Sequence, residues 1–151
     1  MKTYKIAIGA DAAGIEYKDA LIAILTSDER IESVLNIHPQ GEENYPGVAF
    51  RAASLIQENV IDRAILICGT GIGMAISANK VKGIRASTAH DSYSVERLAL
   101  SNDAHILCFG QRVIGVELAK KLAVEWFDYE FVNTTNSAKK IAEISNFEER
   151  C

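Results

Sequence analysis

The stretch of residues 63–80 constrains the fold of this chain more than any other part of the sequence. Its apolar run, residues 64–67, is Ala-Ile-Leu-Ile and predicts a buried strand of a parallel sheet. Cys68 follows, and after it come three glycines at every second position. A pattern of apolar and small residues with helical spacing then continues to residue 80. A strand, a glycine turn and a helix in this order predict one βα unit of an α/β domain.

The predicted turn gathers several backbone N–H groups around one small volume, which the positive end of the helix dipole also faces. Such a site suits an anion or a developing oxyanion. Cys68 stands at the entrance, where the same field favours a thiolate over a thiol. We therefore interpret Cys68 as a catalytic base beside an oxyanion hole. The predicted N–H donors are those of Gly69, Gly71, Ile72 and Gly73.

Other interpretations of this stretch compete with a catalytic one. A lone cysteine at a strand end is often a small core residue. Gly69 and Gly71 fit the first two glycines of a dinucleotide-binding fingerprint, and Asp91 lies at a suitable distance for its ribose-binding acid. The third glycine of that fingerprint is replaced by Met74, so the fit is poor. A phosphate-binding P-loop is excluded because no Gly-Lys-Ser/Thr follows.

Length and composition narrow the class of protein. At 151 residues, with 48% hydrophobic and 24% charged residues, the chain predicts one soluble globular domain over residues 1–151. The net charge of −4 and the scattered lysines and arginines argue against nucleic-acid binding. No apolar run reaches the roughly 18 residues of a membrane span, and no leader segment opens the chain. Three widely spaced cysteines predict no metal site and are typical of a reducing cytoplasm.

The rest of the chain alternates between strand-like and helix-like patterns. Strands are predicted over residues 5–9, 31–37, 64–67, 84–88 and 106–110, and helices over 15–25, 47–59, 93–100, 113–126 and 136–149, with one more ending near 80. This alternation predicts a three-layer α/β/α, Rossmann-like domain with a five-stranded parallel sheet, right-handed crossovers and a C-terminal helix. That last helix has one apolar face, which can dock on a partner subunit or on its own domain.

Three polar residues lie beside predicted strand ends, where an open α/β sheet binds ligands, and Tyr45 ends the loop before the helix predicted over 47–59. Asp11 either faces that crevice or caps the following helix. Tyr45 either leans over the crevice or packs at a corner. Arg112 is either a surface ion-pair partner or a phosphate ligand, and its position alone favours the surface role. His90 follows the fourth predicted strand.

Longer motifs carry a family resemblance. They read ICGTGIGM at 67–74, SANKV at 77–81 and GIRA at 83–86, with IGADAAG at 8–14, NYP at 44–46, HDSYS at 90–94 and GQRVIG at 110–115. Together they resemble the ribose-5-phosphate isomerase B family, which also contains galactose-6-phosphate isomerases, over nearly the whole chain. The resemblance implies a homodimer or a dimer of dimers with shared active sites, and no metal or organic cofactor. The implied reaction converts an aldose phosphate into a ketose phosphate through a cis-enediolate.

The resemblance also implies roles for single residues. Cys68 becomes the base that moves a proton between C2 and C1, while the amides of the glycine turn hold the enediolate. Thr70 is implied near the substrate oxygens, where it assists ring opening. Asp11 is implied at the substrate hydroxyls, and Asn102 beside the intermediate.

The resemblance also implies which residues bind the phosphate group, and the sequence departs from the family pattern at two positions. Arg112 is implied as a phosphate ligand, together with a cation from the C-terminal segment of the other subunit, for which Lys140 is the candidate. The family histidines associated with ring opening or phosphate binding are replaced here by Ala12 and Ser101. His90 is a weak substitute for them.

These departures favour a short substrate. A four-carbon aldose 4-phosphate cannot close a furanose ring, because phosphate blocks its O4, so its isomerase needs no ring-opening acid or base. The residues SVER at 94–97 and LSN at 100–102 are also similar to the tetrulose-phosphate isomerases of erythritol catabolism. We therefore expect interconversion of D-erythrulose 4-phosphate and D-erythrose 4-phosphate. The alternatives are ribose 5-phosphate isomerisation, with spontaneous ring opening or with His90 filling the gap, and a non-catalytic sugar-phosphate-binding protein.

Overall fold

Five parallel strands form the centre of the computed structural model, which describes residues 1–151. The strands are β1 (Tyr4–Ala10), β2 (Ile31–Ile37), β3 (Arg63–Cys68), β4 (Ala86–Thr88) and β5 (Ile106–Gly110). They lie in the order β2-β1-β3-β5-β4, and every neighbouring pair is parallel. The predicted five-stranded parallel sheet is therefore confirmed.

Helices cover both faces of the sheet. They are α1 (Ile15–Leu25), α2 (Tyr45–Gln57), α3 (Ile72–Ala78), α4 (Ser92–Leu100), α5 (Val116–Glu125) and α6 (Asn136–Glu148), with a short 3₁₀ turn at Trp126–Asp128. One core joins the sheet to α1, α4 and α5, and a second core joins it to α2 and α3. The predicted three layers are thus confirmed. No helix combines the length and the apolar character that a bilayer span requires.

Three predicted boundaries differ from the structure for local reasons. The strand predicted over 84–88 is shorter, because the Ile84 N–H donates to the Val81 carbonyl in a turn. The helix predicted over 113–126 begins at Val116, since the residues before it form a turn on the Gly110 carbonyl. The helix predicted over 47–59 begins earlier, at Tyr45, because Pro46 suits a first helical turn.

The strand order creates a crevice between β1 and β3. The chain leaves β1 towards β2 on one side and returns to β3 on the other, so the connections at the carboxyl ends of β1 and β3 run in opposite directions. Open α/β sheets bind ligands at such switch points. The turns after β1, β3 and β5 therefore lie side by side along one edge of the sheet.

The C-terminal helix α6 is the least integrated element. None of its residues is buried, and Ile144 and Phe147 on its apolar face are more than half exposed. Glu148 accepts a hydrogen bond from the Gly83 N–H at 2.9 Å, and Glu149 pairs with Lys82 at 3.0 Å. A cavity of about 990 Å³ separates α6 from α4 and β4. Contact with its own domain thus leaves most of the apolar face uncovered.

His105, just before β5, is half-buried in a neutral form. The Arg85 N–H donates to His105 Nδ1 at 3.1 Å, and the His105 N–H donates to the Arg85 carbonyl at 2.9 Å. Burial, helped by the guanidinium groups of Arg85 and Arg63, lowers the pKa of His105 to about 4. A neutral imidazole is required there, because a protonated Nδ1 could not accept the hydrogen bond.

We expect the free energy of unfolding to fall by about 2 kcal/mol as the pH drops from 6.5 to 4, because His105 gains a proton near 6.5 when unfolded but only near 4 when folded. Urea titrations across this range measure the change. His105→Asn, which keeps an acceptor but does not titrate, should flatten the slope, while His38→Asn should retain it. Equal slopes in all three proteins would contradict the assignment.

Candidate active site

Three adjacent strands bring the predicted site residues to one edge of the sheet. Asp11 follows β1, Cys68 ends β3, and Arg112 lies two residues after β5. Since β1, β3 and β5 are neighbours about 4.8 Å apart, these residues line one crevice with Cys68 in the middle.

The sulfur of Cys68 is held by the turn that follows it. Cys68 is nearly buried, with 5% of its surface exposed, and the Gly71 N–H donates to its Sγ at 3.1 Å. Gly71 adopts φ +79°, and a Cβ atom there would lie 2.9 Å from the carbonyl carbon of Phe109. Glycine is therefore required for the turn that directs this N–H at the sulfur. The sulfur of Cys68 thus lies within hydrogen-bonding distance of a backbone donor whose direction is fixed by the turn.

The other thiol in this layer has a different environment. Cys108 in β5 is fully buried, and burial raises the pKa of its thiol far above the usual value, with a smaller contribution from Cys68. Cys108 is therefore an inert core thiol. The two buried cysteines therefore have different surroundings.

Backbone donors remain free around the sulfur. The Ile72 N–H donates to Thr70 Oγ1 at 3.3 Å, so it stabilises the turn. The N–H groups of Gly69, Gly73 and Met74 have no acceptor within the chain. Of the four predicted donors, Gly71 and Ile72 are thus already used, whereas Gly69 and Gly73 are free. Met74 is a further donor that the sequence pattern did not reveal to us, although its position in the first helical turn is a signal for a free N–H.

Arg112 lies against the backbone next to Cys68. Its N–H donates to the Gly69 carbonyl at 3.0 Å, and a Cβ atom on Gly69 would lie 3.2 Å from Arg112 Nη1. Arg112 takes part in none of the ion pairs of the chain. No ion pair therefore neutralises the guanidinium, and its Nη1 lies beside Gly69. Such a group suits the phosphate of a ligand.

Tyr45 and Asp11 flank the turn after β3. A Cβ atom on Gly73 would lie 2.7 Å from Tyr45 Cε2, so this ring rests on the first turn of α3, and it is 41% exposed. Asp11 Oδ1 accepts a hydrogen bond from the Ala13 N–H at 3.0 Å. The N-cap of α1 is Gly14, so Asp11 shapes the turn but does not cap the helix. Its second carboxylate oxygen has no partner within the chain.

His90 holds a strand end and leaves one nitrogen unavailable to a ligand. Its Nε2 accepts a hydrogen bond from the Gly110 N–H at 3.1 Å, and its ring stacks on Phe109. Burial lowers the pKa of His90, against an opposing effect of Asp91, so the neutral ring is favoured. His90 therefore supports, through Nε2, the turn that carries Arg112, and its role as a substrate ligand stays a prediction.

Asp91 is likewise engaged within its own helix. Its carboxylate accepts hydrogen bonds from the Ser94 N–H at 2.8 Å and from the Ser94 hydroxyl at 2.7 Å, as the N-cap of α4. Because these contacts occupy its carboxylate, Asp91 is not free to bind a ribose, as a dinucleotide-binding interpretation would require.

Asn102 and Lys140 do not reach the crevice of their own chain. Asn102 precedes β5, at the amino edge of the sheet, and its carbonyl accepts from Arg85 Nε at 2.8 Å. The length of β5, about 16 Å, therefore separates it from the carboxyl edge. Lys140 lies on α6, whose far end is bound to Gly83 on the same amino side. Within one chain, these two predicted residues are not part of the site.

An open parallel sheet with a hydrogen-bonded cysteine, free amide donors and an unpaired arginine at its carboxyl edge defines a class of α/β protein. Proteins of this class bind a small anionic molecule in that crevice.

Comparison with known proteins identifies the family. The family model described as Ribose/Galactose Isomerase matches residues 6–144, and the chain belongs to this family. It is 51% identical to a D-erythrulose-4-phosphate isomerase of Mycolicibacterium smegmatis, over 95% of this chain and 97% of that one. It is 47% identical to a ribose-5-P isomerase B of Listeria innocua, over 89% and 91%. The type B ribose 5-phosphate isomerase structure of Leishmania infantum matches 98% of both chains with a TM-score of 0.92 and 28% identity. The protein is thus an aldose–ketose sugar-phosphate isomerase, which confirms the predicted enzyme class.

Gly71→Ala should lower isomerase activity at least about 100-fold, because an alanine at this backbone angle and contact distance would move the N–H away from Cys68. It should also cost about 2 kcal/mol of folding free energy. Gly83 is a matched control, since it has φ +81° but no atom within 4 Å of a Cβ. Gly83→Ala should keep its activity in the same steady-state assay. Similar activities in the two variants would argue against the Gly71 contact.

Proposed function

We propose that this enzyme interconverts D-erythrulose 4-phosphate and D-erythrose 4-phosphate, with Cys68 as the base. The observation that carries the proposal is the Gly71 N–H bonded to Cys68 Sγ, beside free amide donors and the unpaired Arg112. A base, oxyanion donors and an anion-binding cation are what enediolate chemistry on a sugar phosphate requires. The similarity to the Mycolicibacterium smegmatis enzyme supports the choice of substrate.

The chemistry follows from these positions. The Cys68 thiolate removes the proton from C2 of the aldose, and the C–H electron pair forms the C1–C2 double bond of a cis-enediolate. The negative charge moves to oxygen, where the free N–H groups of Gly73 and Met74 offer donors that are already oriented. The Cys68 thiol then returns the proton to C1, and the hydroxyl proton on O2 passes to O1, so that C2=O becomes the carbonyl and O1 the hydroxyl of the ketose. Arg112 binds the phosphate throughout.

The residues that surround the crevice favour an open-chain substrate. Ala12 and Ser101 offer no imidazole, and His90 Nε2 is already bonded to the Gly110 N–H. A four-carbon 4-phosphate needs no ring opening, so the absence of a free imidazole does not slow its isomerisation. Ribose 5-phosphate is the alternative substrate, supported by the similarity to the Listeria innocua protein. That alternative would depend on spontaneous ring opening, assisted at most by the Thr70 hydroxyl.

A second copy of the chain completes the site in this proposal. Asn102 lies at the amino edge of its own sheet, so it can serve Cys68 only from a partner subunit, and the family resemblance assigns Lys140 to the partner as well. The exposed side chains of Ile72 and Ile76, each 56% exposed on α3 beside Cys68, support an apolar contact there. The assembly is a homodimer or a dimer of dimers with shared active sites. The three free cysteines fit enzyme action in a reducing cytoplasm.

The kcat/KM for D-erythrose 4-phosphate should exceed that for ribose 5-phosphate and for a six-carbon aldose 6-phosphate by at least about tenfold. Rates on the three substrates, with deuterium incorporation at C2 from D₂O, test this. A higher kcat/KM for ribose 5-phosphate would overturn the proposed substrate. Absence of turnover and exchange on all three would favour a non-catalytic sugar-phosphate-binding protein.

Cys68→Ala and Asn102→Ala should each lower kcat at least about 100-fold, whereas Cys108→Ala should retain most activity because its thiol is buried in the core. If sites are shared, unfolding and refolding an equal mixture of the two inactive variants should restore about one quarter of wild-type activity, through hybrid dimers with one intact site. A mixture as inactive as its components would place Asn102 and Cys68 in the same subunit's site, or Asn102 outside it.

A further inference from the structure

A lysine is fully buried beneath the substrate crevice. Lys18 in α1 has no exposed surface, although lysine is rarely buried in proteins. Its Nζ donates to Asn36 Oδ1 at 3.1 Å and to the Pro39 carbonyl at 2.7 Å, and it lies 3.3 Å from Asp19 Oδ1. The ammonium group thus has two hydrogen-bond acceptors and one nearby carboxylate. Burying a charge is costly, so this arrangement invites a functional explanation.

The Pro39 contact ties Lys18 to the loop of residues 38–44, which joins β2 to α2. We call this segment the β2–α2 loop. Gly41 in the loop has φ +64°, and its N–H donates to the His38 carbonyl at 2.9 Å. A Cβ atom on Gly41 would lie 2.5 Å from Ile15 Cδ1 and 3.4 Å from Ala12 Cα. The loop is therefore seated tightly on the residues that follow Asp11.

The other end of the loop reaches the glycine turn. The loop ends at Asn44, the N-cap of α2, and the next residue is Tyr45, whose ring rests on Gly73. The β2–α2 loop thus borders the site twice, beside Asp11 and beside the free N–H of Gly73. Lys18, in α1, holds the β2–α2 loop through its hydrogen bond to the Pro39 carbonyl.

We propose that Lys18 is a positioning residue, which holds the β2–α2 loop against the crevice so that Tyr45 and the Ala12 turn form the wall that binds the sugar phosphate. This inference rests on the proposed isomerase function. The Cys68–Gly71 hydrogen bond and the Arg112 contact with Gly69 do not involve the loop. Loss of Lys18 should therefore weaken substrate binding and leave the proton transfer largely intact.

The experiment compares four variants with the wild type, all as the full-length, assembled enzyme. Lys18→Met removes the ammonium group and keeps a side chain of similar length. Gly41→Ala disturbs the packing of the loop against Ile15. The double variant combines them. Val95→Ala is the control, because Val95 is buried in α4 next to the opposite edge of the sheet. Steady-state rates with D-erythrose 4-phosphate give kcat and KM, and a Glu-specific protease reports loop opening by cleavage after Glu42 or Glu43.

Lys18→Met and Gly41→Ala should each raise KM about tenfold with kcat changed less than about threefold, and the double variant should be no worse than either, because both act through one loop. Cleavage in the loop should accelerate in both, and 4-phospho-D-erythronate should slow cleavage of the wild type. Val95→Ala should lower only thermal stability. If Lys18→Met does not fold, Gly41→Ala alone provides the test.

Two results would overturn the inference. One is an unchanged KM in variants whose thermal stability is lowered, which would make Lys18 a purely structural residue. The other is an additive rise in KM in the double variant, which would mean that the two sites act independently. A wild-type enzyme without turnover of any aldose phosphate would overturn the proposed function, while protease cleavage and its protection by 4-phospho-D-erythronate would still report on the loop.

Discussion

The hydrogen bond from the Gly71 N–H to Cys68 Sγ is the constraint on which the rest of the site depends. It can form only if the chain reverses within three residues of β3, and that reversal needs the left-handed backbone of Gly71. The same reversal begins α3, and so leaves the N–H groups of its first turn without acceptors. One backbone angle thus directs a donor at the sulfur and also creates the donors for an oxyanion beside it.

The second determinant of the site is the position of Arg112. Its guanidinium lies on Gly69, adjacent in sequence to the base, and has no carboxylate partner. The proposed base and the cation are therefore close, which favours a substrate that carries its anion only a few bonds from the acidic C–H. The chain has a net charge of −4, so overall charge gave no indication of this local cation. Local backbone packing, and not the balance of charges, creates the proposed phosphate site.

Sequence patterns were sufficient where the structure is determined locally. The alternation of strands and helices predicted the layers and the edge on which Asp11, Cys68 and Arg112 meet, and the glycine spacing predicted the turn. Long-range contacts were not accessible in this way. No local pattern indicates that His90 accepts from Gly110, twenty residues away, or that Lys18 is buried, because a lysine in a helix normally indicates a solvated position.

The replacement of two family histidines and the proposed substrate have one physical explanation, which is the absence of a sugar ring to open. Opening a sugar ring requires a proton to leave one oxygen and another to reach the ring oxygen, which is work for an acid and a base. Ala12 can do neither, and the Ser101 hydroxyl accepts a hydrogen bond from Arg97 at 3.2 Å. On a ring-forming substrate, such a site would depend on the small open-chain fraction in solution. On a four-carbon 4-phosphate, which forms no furanose, the same site meets a substrate that is already open. Selection for the short sugar would thus remove the reason to keep either histidine.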